Sequence, residues 1–395
     1  MVIFQALTWE ARDVDDEHLV SIFGKTQEGK SVCVTTAFTP YFFVKFPKGA
    51  TQKTAQEIFD VLNRKCPECL VSYSVMKAKD VWGFQNSEEF AYMKIDFVNL
   101  AMRRRVDYFL KNALNISSGA VKLKVYESNL DPVLRLMHRT GIQSTGWLDT
   151  GDQCIRSHLA NVDIDLFCNK WNTLKPVDRD DIAPFVVASF DIECNSSTGK
   201  FPDPTIMGDA CFQIAISLVK FGSSEVYDRT CLCFKQTGDN LEGCTIKSYD
   251  TENDMLMAFS EYLVEKDIDI ITGWNIFGFD LNYIYTRAFI TGCNPEFFKM
   301  GKLKSQTCEI SIKKLSSSAL GDNVLKLLPM SGRFIFDLFH EVKKGYKLDS
   351  YKLNEVSKLY LGDQKIDMAP KEMFARYLEG DPVKLREVAE YCIKD

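Results

Sequence analysis

Residues 186–197, VVASFDIECNSS, decide the fold assignment because an apolar run ends there in two acidic side chains. The run is rich in β-branched and aromatic residues, as expected for a strand buried on both faces. Asp191 and Glu193 are separated by one residue, so on a strand both project from the same face. Like charges there repel and lose hydration, a cost that a divalent cation would offset. The alternative is a strand end in solvent with two hydrated acids.

Another acid follows a second strand in residues 271–288, ITGWNIFGFDLNYIYTRA. We predict a strand that ends at Gly273 and a helix that begins near Phe279, with Asp280 in its first turn. The helix dipole stabilises an acid at that position in any protein. The dipole does not explain Asn275 in the turn or the three neighbouring aromatic residues. Aromatic side chains beside an acidic turn are suited to stacking against splayed bases.

A third motif lies in residues 381–395, DPVKLREVAEYCIKD. Asp381 as a cap and Pro382 in the first position predict a helix. Tyr391 and Asp395 are four residues apart and therefore lie one turn apart on that helix. A phenol and a carboxylate in this relation can hold one water between them. Taken alone, a partly exposed helix end explains the pair equally well.

The surroundings of these motifs predict two regions with different organisation. Up to about residue 175, a hairpin around TQEGK and helices that begin at Thr51 and Asp131 indicate an α+β module without recognisable chemistry. Charge and two prolines place a boundary at 175–184. Beyond it, CFQIAISLVKF predicts a partner strand, and a helix over 250–267 leads into the strand IDIIT. Strands that alternate with helices predict an α/β sheet covered on both sides.

Composition excludes several classes of protein. The chain has 395 residues, 46% of them hydrophobic, and a net charge of −6, which disfavours coating of nucleic acid by bulk electrostatics. It lacks an apolar run long enough to span a membrane and a signal-like N-terminus, so we expect an intracellular protein. Thirteen irregularly spaced cysteines indicate reduced, buried thiols, and Cys66 and Cys69 lack partners at zinc-finger spacing. Residues 103–105, RRR, predict a solvated helix face or a phosphate contact.

Together, the three acidic motifs resemble the exonuclease motifs of family B DNA polymerases. FDIE, NIFGFD (Asn-x-x-x-Phe-Asp) and YCIKD (Tyr-x-x-x-Asp) occur in the family's order. The stretch SGRFIFDLFHEVKKGYKLDSYKLNEVSKLYLG between the last two is similar to the delta-type branch of eukaryotes and large DNA viruses. The resemblance is strong over residues 180–395 and looser before them.

The resemblance implies a ribonuclease H-like 3′→5′ exonuclease domain at 179–395, preceded by a mixed α+β N-terminal domain at 1–178. The expected activity is proofreading with two Mg²⁺ ions, with Mn²⁺ as an alternative. By the same resemblance, Asp191 would bridge both ions, Glu193 and Asp395 would hold the ion that activates water, and Asp280 would support the second. Tyr391 would orient the attacking water.

The resemblance also implies contacts to substrate and to other proteins. Asn275 and Phe279 would contact the single-stranded or frayed 3′ end of primer-template DNA. Asp337 would be supporting or structural. Residues 308–336 resemble the family's β-hairpin region, and a mobile Lys- and Ser-rich loop is the alternative. Expected partners are the remaining polymerase half and a sliding-clamp-type processivity factor, at a replication site in the host nucleus or, for a virus, the cytoplasm.

The sequence departs from the family pattern in one respect. It lacks the family's palm and fingers motifs Asp-x-x-Ser-Leu-Tyr-Pro-Ser and Tyr-Gly-Asp-Thr-Asp-Ser, so we expect palm, fingers and thumb to be absent and only exonuclease activity from this chain. We also expect the helix to fray at Asp395. The alternative functions are a catalytically incomplete DNA-binding or assembly module of a split polymerase, and a stand-alone RNA exonuclease. Tolerance of 2′-hydroxyls would distinguish the RNA exonuclease.

Overall fold

A computed structural model describes residues 1–46, 51–80, 82–317, 321–362 and 368–394. Its strands are β1 (Ile3–Val14), β2 (Glu17–Lys25), β3 (Ser31–Ala37), β4 (Tyr41–Lys45), β5 (Leu70–Ala78), β6 (Phe90–Phe97), β7 (Leu114–Ile116), β8 (Gly119–Val121), β9 (Lys124–Tyr126), β10 (Trp147–Asp149), β11 (Cys154–Arg156), β12 (Ile164–Cys168), β13 (Lys175–Val177), β14 (Val186–Cys194), β15 (Cys211–Lys220), β16 (Val226–Phe234), β17 (Thr245–Tyr249), β18 (Ile270–Thr272), β19 (Ser311–Ser317), β20 (Gly321–Leu327) and β21 (Phe334–Ile335). Its α-helices are α1 (Gln52–Lys65), α2 (Leu100–Phe109), α3 (Pro132–Thr140), α4 (Glu252–Glu265), α5 (Asp280–Ile290), α6 (Leu338–Gly345), α7 (Leu353–Leu361), α8 (Pro370–Glu379) and α9 (Pro382–Lys394). Within the described ranges, none of the helices has the length and apolar character needed to cross a bilayer.

The N-terminal region contains two larger sheets. One has the strand order β11-β12-β3-β2-β1-β10-β13, and the other has the order β5-β6-β4-β9. The predicted hairpin joins β2 to β3 in antiparallel register, and Gly29 in its turn has a φ of 84°. Helix α1 begins after Thr51, as predicted, and buries Ile58 and Leu62 against the smaller sheet. Helix α3 is capped by Asp131.

Two sequence predictions about this region hold only in part. Arg103 is buried and donates a hydrogen bond to the Leu130 carbonyl at 2.8 Å, so it neither faces solvent nor is available to a phosphate. Helical periodicity turns this arginine inward, whereas its two neighbours are exposed. In addition, Cys154 and Cys168 are directly opposite on β11 and β12 and form a disulfide, whereas the other eleven cysteines are free and buried, as predicted.

The second region is built on a mixed sheet with β14 near its centre. The strand order is β17-β16-β15-β14-β18-β21; β14 is antiparallel to β15 and parallel to β18. Phe190 and Ile192 point into a core with α4 and α5. On the opposite face, Ala215 packs against Ala389 and Cys392 of α9. Helices therefore cover both faces, and the prediction of a mixed α/β region is confirmed.

Residues 308–336 contain the predicted hairpin. Strands β19 and β20 pair only with each other among the described residues, in antiparallel register from Ser311 opposite Leu327. The tip, 318–320, lies outside the described residues. The two β-like runs thus form a two-stranded arm next to the larger sheet.

The connection between the two regions packs against both of them. Ala183 and Phe185 are buried with Trp147 of the first region and Ile270 of the second. The division into domains at residue 178 stays a prediction, although the change from one sheet to the next lies between β13 and β14.

Candidate functional site

Strand β14 carries Asp191 and Glu193 on the face that α9 covers. The residue opposite Asp191 is Ala215, which contacts α9, and the residue opposite Glu193 is Gln213. The Gln213 amide donates a hydrogen bond to the Leu385 carbonyl of α9 at 2.8 Å. Glu193 is buried and Asp191 is half-buried. The two acids therefore lie between sheet and helix, and the alternative of a strand end in open solvent is wrong.

Asp280 joins this pair from the first turn of α5. Only 3% of its surface is exposed, and its carboxylate accepts a hydrogen bond from the backbone N–H of Ile192, between the two acids of β14. Burial, and then the negative charge of Asp191, raise the pKa of Asp280 well above its usual value. Asp280 thus lies close enough to Asp191 for the two carboxylates to repel each other, and its burial adds to the electrostatic cost.

Asp337 fixes the turn that leads into α5. Its carboxylate accepts hydrogen bonds from the backbone N–H groups of Asn275 at 2.8 Å and Phe277 at 2.9 Å. The same carboxylate caps α6 through the N–H of Phe339 at 3.0 Å. Asn275 itself has a left-handed φ of 63°. Asp337 is therefore a structural residue, as the sequence indicated, and it shapes the loop that presents Asp280.

A cleft of about 680 Å³ opens beside Glu193. Its lining includes Glu193, Phe279 and Tyr391, all three of which were singled out from the sequence. Tyr391 is buried at the cleft wall. Asn275 is not among the lining residues; its side chain lies against Gly278. Asp395 lies outside the described residues.

Sequence reasoning missed an exposed aromatic residue on the rim of this cleft. Phe201 is 78% exposed, and its ring centroid lies 5.3 Å from that of Phe279. Phe279 in turn contacts Tyr283, at 5.0 Å between ring centroids. Lys200 lines the cleft next to Phe201. An aromatic residue in a Gly- and Pro-containing loop has no periodic pattern, so the available signal was its position shortly after the acidic strand.

Cys392 is a second residue that the sequence did not single out. Ligand atoms of Asp191, Glu193 and Cys392 all lie within 4.8 Å of one another. The thiol is buried, and its sulfur lies 3.8 Å from the backbone carbonyl oxygen of Asp191. Carboxylates are the ligands that hard divalent cations prefer, whereas a thiol is not. The carboxylates therefore fit such a cation, and Cys392 joins α9 to the strand below.

Comparison with known proteins assigns the chain to a family. A sequence model described as "DNA polymerase family B, exonuclease domain" matches residues 123–356. The chain belongs to DNA polymerase family B. Similar sequences include a DNA polymerase of Paramecium bursaria Chlorella virus NY2A, 32% identical over 98% of this chain and 42% of the viral protein. The DNA polymerase delta catalytic subunit of Oryza sativa subsp. japonica is 29% identical over 95% of this chain and 35% of that subunit.

A solved family B structure shows the same fold. The DNA polymerase from the hyperthermophilic archaeon Pyrobaculum calidifontis superimposes with a TM-score of 0.69 at 17% sequence identity, covering 100% of this chain and 44% of the archaeal chain. The chain thus spans less than half the length of these family B relatives.

Proposed function

We propose that this chain is the N-terminal and proofreading portion of a family B DNA polymerase, and that its cleft removes nucleotides from a frayed 3′ end. The observation that carries the proposal is the pairing of Asp191 with Glu193, which lines an aromatic-lined cleft, together with the buried Asp280 that Asp191 repels. A buried carboxyl group whose pKa is raised by burial and by a neighbouring acid, as that of Asp280 is, is typical of a functional site. In this proposal residues 179–395 form a ribonuclease H-like exonuclease domain, and residues 1–178 form its N-terminal companion.

Asp191, Glu193 and Asp280, together with Asp395, would hold two divalent cations. Mg²⁺ suits an all-oxygen ligand set, and Mn²⁺ is the alternative. Bound there, the ions would lower the pKa of water and neutralise charge that develops on the phosphorus. The donor set fits this role, since a cation would offset the burial and the repulsion from Asp191 that raise the pKa of Asp280.

The side chains around the cleft would position the strand for hydrolysis. Phe201 and Phe279 offer ring faces to the terminal base, and Lys200 supplies positive charge near the phosphate. The phenol of Tyr391 would orient the attacking water. The water oxygen bonds to phosphorus, the bond from phosphorus to the 3′ oxygen of the shortened strand breaks, and that oxygen takes up a proton. A nucleoside 5′-monophosphate and a new 3′-hydroxyl result.

The substrate in this proposal is DNA whose 3′ end is unpaired. The relatives are DNA polymerases, so the partners we propose are primer-template DNA and the remaining polymerase half, with a sliding-clamp-type factor during replication. Nucleotide addition would belong to that other half.

The proposal predicts Mg²⁺-dependent shortening of a 3′-mismatched, end-labelled DNA primer by this chain. Asp191→Ala combined with Glu193→Ala should reduce the rate by at least about 100-fold, since both removed carboxylates would hold the ions. The matched control, Asp16→Ala combined with Glu17→Ala, removes two exposed acids where the chain turns from β1 into β2 and should leave the rate unchanged. A folded chain that binds the primer without shortening it would favour the DNA-binding module, and preference for an RNA end would favour the RNA exonuclease.

A further inference from the structure

The loop between β14 and β15, residues 195–210, forms one wall of the cleft. Lys200, Phe201 and Pro202 of this loop line the cleft. Residues 197–208 are largely exposed and form neither helix nor strand, so core packing fixes little of their position. An irregular segment of this length keeps one conformation only where specific contacts offset its conformational entropy.

Arg287 provides such contacts from inside the molecule. Its guanidinium is fully buried and donates hydrogen bonds to three loop carbonyls, those of Pro204 at 3.2 Å, Ile206 at 2.8 Å and Met207 at 3.1 Å. Its remaining donors reach the two carboxylate oxygens of Glu252, at 2.8 and 2.6 Å. The guanidinium therefore ties the loop to the first turn of α4.

Two buried carboxylates, those of Glu252 and Asp209, also fix both ends of the loop. Glu252 accepts a hydrogen bond from the backbone N–H of Cys211, the first residue of β15, at 2.9 Å. Asp209 accepts hydrogen bonds from the N–H groups of Ser197 at 2.7 Å and Asp203 at 3.0 Å. One buried ion pair and one carboxylate thus hold a loop that contributes few side chains to the core.

We propose that Arg287 is a positioning residue for the substrate end: by holding residues 204–207 it sets the place of Phe201 opposite Phe279, where the unpaired 3′ base stacks. This inference rests on the proposed function, because it names the binding geometry of the same cleft. Arginine suits the task because its planar fork serves a carboxylate and several carbonyls at once, whereas a lysine offers a single point charge.

The test measures stacking of the 3′ base without measuring cleavage. The probe is a single-stranded DNA with 2-aminopurine at its 3′ end, whose fluorescence falls when the base stacks on an aromatic ring. All proteins carry Asp191→Ala and Glu193→Ala so that the strand stays intact. Phe201→Ala should weaken the quenching interaction about tenfold, as expected for loss of one stacked ring.

Arg287→Lys keeps a positive charge opposite Glu252 and should weaken the interaction by about three- to tenfold. Combined with Phe201→Ala it should have no further effect, because the ring it positions is gone. Asp209→Asn, which loosens the loop without changing the ion pair, should follow the same pattern. The matched control is Arg135→Lys. Arg135 is similarly buried, and it donates hydrogen bonds to the Tyr41 and Glu127 carbonyls, which belong to the N-terminal region and not to the loop 195–210. It should leave quenching unchanged.

Thermal unfolding of each variant shows whether it is folded at the assay temperature. Unchanged quenching by folded Arg287→Lys would overturn the inference. It would also be overturned if Arg287→Lys weakened the quenching interaction equally in the protein with Phe201 and in the Phe201→Ala variant. Absence of 3′-dependent quenching in the parent protein would overturn it as well. Quenching that follows the expected pattern in a protein whose wild type does not shorten primers would support this inference while removing the proposed nuclease activity.

Discussion

At the scale of single residues, Asp280 shows the cost of the site most clearly. It occupies the first turn of α5, where backbone N–H groups favour an anion, yet its pKa is raised because burial and Asp191 together outweigh those donors. Residues retained at a cost to stability are typical of functional sites, since packing alone would select an uncharged side chain.

Because burial and Asp191 both disfavour the charged form of Asp280, removing its charge with Asp280→Asn should change the stability of the protein. The folded-state pKa lies above the unfolded value of about 4, so the ionised carboxylate destabilises the fold once the pH exceeds that value. In EDTA at neutral pH the variant should therefore be more stable than wild type, with the unfolding midpoint raised by about 2–4 °C for each 1 kcal/mol relieved. The difference should close as the pH falls below about 4.

Thermal unfolding from pH 4 to 8, with EDTA and then with Mg²⁺, checks this prediction. Mg²⁺ should stabilise wild type more than Asp280→Asn, because the variant has lost a carboxylate that would face the ions. Asp60→Asn, at an exposed position on α1, serves as the control and should show neither effect. A lower midpoint for Asp280→Asn in EDTA at neutral pH would contradict the argument.

At the scale of elements, the approach of β18 to β14 determines where the acids lie. A Cβ atom on Gly273, directly after β18, would come within 2.6 Å of the Phe190 carbonyl oxygen. Phe190 precedes Asp191, so the missing side chain at Gly273 lets the chain leave β18 close beside the acidic strand.

Gly273→Ala should therefore destabilise the protein by about 1–3 kcal/mol, as overpacking against a backbone atom does. It should also slow primer shortening, since relief of the clash would displace either β14 or the turn that carries Asp280. Urea unfolding and the primer assay measure the two effects. Gly345→Ala is the matched control, because its added methyl group would meet open space. Equal stabilities for the two alanine variants would show that the close approach is unimportant.

The elements around the site were largely predictable because their signals are local. The helical pattern over 250–267, the proline at position 382 and the β-branched and aromatic run in β14 each act within a few residues, and the structure places α4, α9 and β14 accordingly. The order of strands and the path of the loop after β14 were not predictable. They depend on contacts such as that of Arg287 with the Ile206 carbonyl, which joins residues 81 positions apart.

The site itself was predictable in part for the same reason. Asp191 and Glu193 were identified because they follow an apolar run on a strand, and Asp280 was identified from the residues around it and from the motif that they form. Phe201 and the buried side of the arginine run at 103–105 were missed, since exposure in a loop and burial on a helix are set by tertiary contacts.

At the scale of the whole molecule, a buried ion cluster joins the N-terminal region to the acidic sheet. Lys25 of β2 lies 2.6 Å from Asp269 and 3.5 Å from Asp267. Lys302 approaches the same two acids, at 2.6 and 2.9 Å. Asp269 also accepts the backbone N–H of Val186, the first residue of β14, at 2.8 Å. One cluster therefore connects the large N-terminal sheet to the strand that carries the site.

The Lys25→Met variant tests how much the two regions stabilise each other. Removal of one partner leaves Asp267 and Asp269 with a single lysine, and breaking a buried ion cluster in this way costs about 3–5 kcal/mol. The lost contact joins the two sheets, so the two regions should no longer stabilise each other. Urea unfolding of the variant should therefore occur in two steps, one for each region. Lys45→Met is the control: Lys45 pairs with Asp80 at 2.7 Å within the N-terminal region, so it should lower stability without separating the steps. A single transition for Lys25→Met within about 1 kcal/mol of wild type would mean that apolar packing at the junction, and not the ion cluster, couples the regions.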